Sequence, residues 1–236
     1  ALTIKPDYAE AYYNMGGSLQ KLEKPEEAIE AYNNALTIKP DYAEAHNNIG
    51  ILFKGLGQLE EAIEAFKKAL AIKPDYADAY NNLGGTLQRQ GKLDKAIEAY
   101  KKALAIKPDY AEAYNNLGIT LNERGQLEEA IEAYKMALTI KPDYAVAHRH
   151  LSSVTKYNSD VGQIGKVQEL LQRNNLKDAD RCNLLYAYAK MNEDLGDRRA
   201  AFDNYVAGGD LRKKLLGYEF TQDQHGRAVN SGLIFE

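Results

Sequence analysis

Side chains able to do chemistry are few in this chain, and most stand without the partners that chemistry requires. His148 and His150 are two residues apart, so on a helix they do not share a face. His46 occupies a place that elsewhere holds an aromatic ring, and His225 lies near the carboxyl end. None of these histidines has a cysteine or carboxylate at metal-ligand spacing. Cys182, the single cysteine, has no motif partner and reads as a small packing residue. The run Gly162-Gln-Ile-Gly165-Lys166 imitates a phosphate loop but lacks the spacing, the Ser/Thr and the preceding strand, so it reads as a helix turn or loop. The expectation is a chain with no catalytic group, no metal and no cofactor. One pattern remains. Asn14, Asn48, Asn82 and Asn116 recur every 34 residues, and Asn47, Asn81 and Asn115 stand beside three of them. Asparagine costs roughly 0.5 kcal/mol against alanine inside a helix. A primary amide is both donor and acceptor, so a regular row suits the backbone of an extended peptide at successive steps.

The elements that carry this row follow from the same period. Ile-Lys-Pro-Asp-Tyr-Ala begins at Ile4 and returns at Ile38, Ile72, Ile106 and Ile140. A fixed spacing of this kind marks an array whose units cannot bury their apolar faces alone. Complete units start at Ala9, Ala43, Ala77 and Ala111. In the third, Tyr80, Leu83, Gly84 and Leu87 fall at helical spacing, and Leu93, Ala96, Ile97, Tyr100, Ala103 and Leu104 do so again. Gly91 separates the runs, as a glycine just past a helix end should. Each unit is therefore predicted to be a helix hairpin. Ala28, Ala62, Ala96 and Ala130, with Gly16, Gly50, Gly84 and Gly118, place small residues where paired helices approach. Asp7, Asp41, Asp75 and Asp109, each followed three residues later by an acid, are predicted to cap the first helices.

Composition excludes several function classes. The 236 residues are 44% hydrophobic and 27% charged with a net charge of -4, which provides no basic field for nucleic acid or an anionic membrane. No apolar run approaches the roughly 20 residues that span a bilayer. A lone cysteine and no visible targeting signal suit the cytoplasm. The opening Ala1-Leu-Thr-Ile-Lys-Pro6 matches Ala35 to Pro40, the end of a unit, so upstream sequence is expected, and any signal there would not be visible.

These units resemble the tetratricopeptide repeat family over residues 1 to about 152. The residues that carry the resemblance are Tyr80, Leu83, Gly84 and Leu87, then Ala96, Tyr100 and Ala103, and the closing Pro108. The first unit departs modestly, with Glu23 for the inter-helix glycine and Pro25 near the next helix start. The resemblance implies an all-α, right-handed superhelical α-solenoid. Residues 1–8 would end a preceding repeat, 9–152 would hold four complete repeats and the start of a fifth, and 153–236 would form a divergent helical segment. It also implies that first helices line a concave groove, with Asn14, Asn48, Asn82 and Asn116 facing into it beside Asn47, Asn81 and Asn115. Gln20, Lys54, Gln88, Arg89 and Asn122 would form the far wall. Arrays that clamp a carboxylate carry lysines beside the asparagines. Here only Arg149 and His150 supply positive charge, and Glu44, Asp78 and Glu112 lie nearby, so anionic tails are disfavoured. The expected partner is a protein or peptide segment.

The regular pattern fails after Leu151. Ser152 replaces the glycine, and Tyr157-Asn158-Ser159-Asp160 reads as a turn. A short helix is predicted over Ile164–Leu171, then one capped by Asp178 or Asp180 that runs to Leu195-Gly196-Asp197. Ala201, Phe202 and Tyr205 repeat the second-helix pattern, and Gly208-Gly209 is expected to bend or end that helix. Ala187 to Lys190, Glu193 to Asp197, Ala201-Phe202, Leu211-Arg212 and Leu216 to Tyr218 resemble the linker of bacterial repeat-containing sulfotransferase-family proteins, over about residues 150–225. Three functions follow as expectations: a non-catalytic peptide-binding scaffold, the recruiting arm of a sulfotransferase-like enzyme, or a solenoid that associates end to end.

Overall fold

The computed structural model describes residues 8–158 and 161–217, with the backbone of 220–222 and 228–230. The chain divides into two compact units, residues 1–130 and 131–236. In the first, α1 (Ala9–Lys21), α3 (Ala43–Gly55) and α5 (Ala77–Arg89) are first helices, and α2 (Pro25–Ile38), α4 (Leu59–Ile72) and α6 (Leu93–Ile106) are their hairpin partners. Each second helix also packs on the next first helix, the last of these being α7 (Ala111–Glu123). The fold is an all-α repeat.

Glycine inside a first helix costs up to about 1 kcal/mol, and the packing explains why it is there. The buried rings of Tyr32, Phe66 and Tyr100 lie directly on the backbone of Gly16, Gly50 and Gly84. A Cβ at these places would come within 2.7, 2.6 and 2.8 Å of a ring carbon. Only a bare backbone lets the aromatic in. Ala28, Ala62 and Ala96, on the second helices, are fully buried, as the spacing predicts.

The turn inside each hairpin needs a left-handed residue. Gly91 supplies it at φ 71°. The first unit has Glu23 there instead, at φ 56°, a conformation that costs a side-chain-bearing residue roughly 1–2 kcal/mol.

The connectors correct one expectation. Tyr42, Tyr76 and Tyr110, rather than the preceding aspartates, hold the cap position, and no side chain caps these helices. The aspartate stands one residue too early to accept from the first turn; Asp7 lies outside the described residues. Instead, the lysine of each motif folds over its tyrosine, with Lys39, Lys73 and Lys107 4.5, 4.8 and 4.4 Å from the rings of Tyr42, Tyr76 and Tyr110. Exposed cation–π contacts are worth about 0.5–1 kcal/mol, so the clasp replaces the missing cap with a contact of similar size.

The helix α8 (Leu127–Ile140) spans the division between units. In the second unit α9 (Ala145–Val154) is short, and α10 (Val161–Leu171), α11 (Asp178–Asp194) and α12 (Arg198–Leu215) follow. Both α9 and α10 pack on α11, and α11 pairs with α12. Ala145, Tyr157, Val167, Leu170, Leu184 and Met191 share one core, so the irregular Tyr157 turns inward. Its hydroxyl donates to Gln163 Oε1 at 2.8 Å and its amide to Asp194 at 3.2 Å. Ser159 and Asp160 lie outside the described residues.

Two expectations for this unit change, and one cap is new. Neither Asp178 nor Asp180 caps α11, which Lys177 precedes without a side-chain bond. Asp197 does cap α12, accepting from the Ala200 amide at 3.0 Å. Gly208-Gly209 does not end α12, which continues to Leu215. Gly208 lies against the Tyr186 ring and Leu185, so it serves a close approach and does not break the helix. Past α12 the described chain leaves the helical pattern: β1 (Phe220–Gln222) pairs antiparallel with β2 (Ala228–Asn230).

Candidate functional site

The asparagines of successive first helices form a ladder. Asn82 Nδ2 donates to Asn47 Oδ1 at 3.2 Å, and Asn116 Nδ2 donates to Asn81 Oδ1 at 3.1 Å. In the first step tyrosines take the acceptor role, and Asn48 Nδ2 donates to the hydroxyls of Tyr13 at 3.1 Å and Tyr32 at 3.2 Å. The row therefore joins neighbouring hairpins. Asn47 and Asn115 are buried, while Asn48, Asn81, Asn82 and Asn116 are half-buried and Asn14 is exposed. Asn47 is buried in the ladder, and Asn82 and Asn116 hold it while remaining only half-buried.

The residues a turn or two further along are tied to the same elements. The hydroxyls of Tyr32 and Tyr100 donate to Gln20 and Gln88, each at 3.3 Å, and Gln88 Nε2 donates to Glu123 at 2.9 Å. Arg89 donates to the Lys54 carbonyl at 2.7 Å. Burial, and then the Arg89 charge, lower the Lys54 pKa. Gln20 also lines a cavity of about 490 Å³ with Ile51, Leu52 and Leu56. Asn122 is exposed.

An acidic line runs beside the row. Glu44, Asp78 and Glu112 sit in the first turns of α3, α5 and α7. Burial, followed by the Glu44 and Asp78 charges, pushes the Tyr76 hydroxyl up to about 12. Tyr110 is raised too, by burial and by its bond to the Asp78 carboxylate. Both hydroxyls stay protonated, and that of Tyr110 donates to Asp78. Glu44 is held below the usual carboxylate range: burial opposes the shift, but its own backbone amide and Lys73, at 3.2 Å, outweigh it.

In the second unit Arg149 Nη1 donates to Asn183 Oδ1 at 3.1 Å, and its guanidinium lies 4.9 Å over the Tyr186 ring. The His150 ring meets Tyr134 at 5.6 Å, and burial, then Arg149, lower its pKa. Asn183 and Tyr186 are additions to the sequence reading. The signal was present, because Asn183 stands 34 residues after Arg149, but the irregular stretch between them hid it.

The other chemistry-bearing residues are built into the fold. His148 is buried with Nε2 3.0 Å from the Pro142 carbonyl, and burial lowers its pKa. Cys182 is buried and its thiol points at the Gly208 carbonyl, 3.4 Å away. Gly162 to Lys166 is helical, part of α10. Among the described residues no three His, Cys, Asp or Glu cluster as metal ligands, and no helix is long and apolar enough to cross a membrane.

A tetratricopeptide repeat model matches residues 7–75 and again 75–143. The chain belongs to the tetratricopeptide repeat family. No curated protein matches it. Among solved structures, PilF of Pseudomonas aeruginosa is 21% identical with a TM-score of 0.70, covering 89% of this chain and 92% of its own. MamA of Desulfovibrio magneticus RS-1 is 21% identical at TM-score 0.58, covering 87% and 96%. YrrB, described as a TPR protein with an unusual peptide-binding site, is 20% identical at 0.58, covering 87% and 96%. At these identities the likeness establishes the repeat fold alone. The resemblance of residues 150–225 to a sulfotransferase linker finds no support in these comparisons.

Proposed function

We propose that this repeat protein is a non-catalytic scaffold that binds an extended peptide or protein segment along its first helices. The asparagine ladder carries the reading. Each ladder amide of Asn82 and Asn116 donates once to a neighbouring hairpin, and a primary amide has a second N–H and a carbonyl oxygen to offer a peptide backbone. The ladder also fixes the spacing between hairpins, so the outward amides are positioned before a partner arrives. Preorganisation of this kind reduces the ordering cost of binding. The acidic first turns and protonated tyrosines favour neutral or cationic segments over anionic tails. Backbone-directed amides tolerate many sequences, so affinity follows extension more than side-chain identity.

The test uses a peptide selected from a random displayed library against the whole chain. Asn82→Ala with Asn116→Ala should weaken that peptide at least about tenfold, the loss of one or two hydrogen bonds. Asn47→Ala removes the acceptor that orients Asn82, so it should lower stability and weaken the peptide by less than the double variant does. Unchanged affinity in the double variant sinks the proposal.

A further inference from the structure

The second unit holds an open cavity of about 410 Å³ between α8, the connector at Pro142, α9 and α10. Leu138, Pro142 and Leu151 give it apolar walls, and His148 and Gln163 also line it. The place has a counterpart in the first unit. His46 stands at the same repeat position as His148, and Leu36 and Ile49 match Leu138 and Leu151, around a cavity of about 210 Å³. Tyr80 and Tyr114 hold that histidine position in α5 and α7. The larger cavity takes its far side from α10, where α4 closes the smaller one.

Two atoms of the cavity-lining residues lack a partner in the protein. His148 is 2% exposed, and its Nδ1 is buried without a hydrogen bond. Its Nε2 must carry the proton, because the Pro142 carbonyl 3.0 Å away can only accept. Burial lowers the pKa of the ring, so the ring is neutral and Nδ1 is a bare acceptor. Gln163 is the complement. Tyr157 occupies its Oε1 at 2.8 Å, and its Nε2 is a buried donor without a partner. Buried polar groups are nearly always satisfied, so an acceptor and a donor left open at one cavity call for a group that offers both. The rim is balanced in charge, since Lys135 pairs with Glu132 at 2.9 Å and Lys166 with Glu169 at 2.8 Å. It offers no net charge to an anion.

We propose that this cavity binds a small neutral carboxamide with a short branched apolar body. The ligand N–H donates to His148 Nδ1, its carbonyl accepts from Gln163 Nε2, and its apolar body lies against Leu138, Pro142 and Leu151. A cleft of this volume, mostly apolar with a few convergent polar groups, is the usual form of a small-molecule site. None of these residues belongs to the asparagine row, so this reading and the peptide-binding one stand or fall separately.

Three molecules of one shape test the idea on the whole ¹⁵N-labelled chain: isobutyramide, isobutyrate and 3-methyl-2-butanone. Isobutyramide should shift the Gln163 side-chain NH₂ and His148 ring signals to saturation. The carboxylate and the ketone lack the N–H, so each should bind at least about tenfold more weakly. Gln163→Glu keeps an oxygen for Tyr157 and exchanges the donor for an acceptor. It should weaken isobutyramide at least about tenfold while melting stays close to that of the unmodified chain. The series on the unmodified chain decides the matter even if that variant melts early. No saturable shift with isobutyramide overturns the proposal, a buried water alone then serving the two atoms. So does equal binding of the three molecules, tighter binding of the carboxylate, or an affinity that Gln163→Glu leaves intact.

Discussion

The hairpins of the first unit and the α11–α12 hairpin of the second solve the same packing problem with the sizes exchanged. In the first unit the ring comes from the second helix and the gap from the first, as with Tyr100 on Gly84. In the second unit the ring comes from the first helix and the gap from the second, as with Tyr186 beside Gly208. Gly208 follows Tyr205 by three residues, as Ala69 follows Phe66, so a small residue at this place is common to both units. The fit differs in tightness. A Cβ on Gly84 would come 2.8 Å from the ring, whereas one on Gly208 would come no nearer than 3.4 Å. A repeat can thus keep its hairpin while losing its consensus, provided large and small residues stay opposed.

The largest expected effect breaks or sharpens this contrast directly. Gly84→Ala should destabilise the chain by about 1–3 kcal/mol, because Tyr100 is buried and cannot move aside. Gly208→Ala should be nearly neutral, since alanine's helix preference of up to about 1 kcal/mol offsets mild crowding. Urea unfolding of both variants measures the difference, and equal losses would remove it.

Helix ends supply the next contrast. Asp197 caps α12, so Asp197→Ala should cost about 1 kcal/mol. Asp75, which precedes an uncapped helix, should tolerate alanine within about 0.5 kcal/mol. The same unfolding assay separates them.

Histidines give the smallest effect. Burial lowers the pKa of His46 in the first unit and of His148 in the second. The unfolded chain therefore binds more protons than the folded one once the pH falls below the unfolded value of 6.5, and stability drops with acidification from there toward the folded values. Thermal melting should fall between pH 7.5 and 5.5. His148, the more buried, should contribute more, so His148→Gln should flatten the dependence further than His46→Gln.

Much of this was legible in the sequence because the period is strict. Tyr80, Leu83, Gly84 and Leu87 announced a helix, Gly91 its end, and Tyr100 its partner. The asparagine row was legible as positions but not as bonds. Asn82 meets Asn47, 35 residues back, and that pairing depends on how far successive hairpins are offset, which no local pattern encodes. The caps were misread because Pro-Asp-Tyr has a favourable capping residue one place early, and the tyrosine takes the position instead. Phe202 fitted an apolar pattern, yet it is exposed, because pattern specifies a face and not what covers it.

The central claim is that the outward asparagine amides contact the ligand as well as the neighbouring hairpin. Side-chain amide resonances report this most directly. With the selected peptide titrated into ¹⁵N-labelled chain, the Asn82 and Asn116 NH₂ signals should shift progressively, while those of Asn33 and Asn34 on α2 stay in place. Shifts confined to α2, or absent from Asn82 and Asn116 at saturation, would contradict the account.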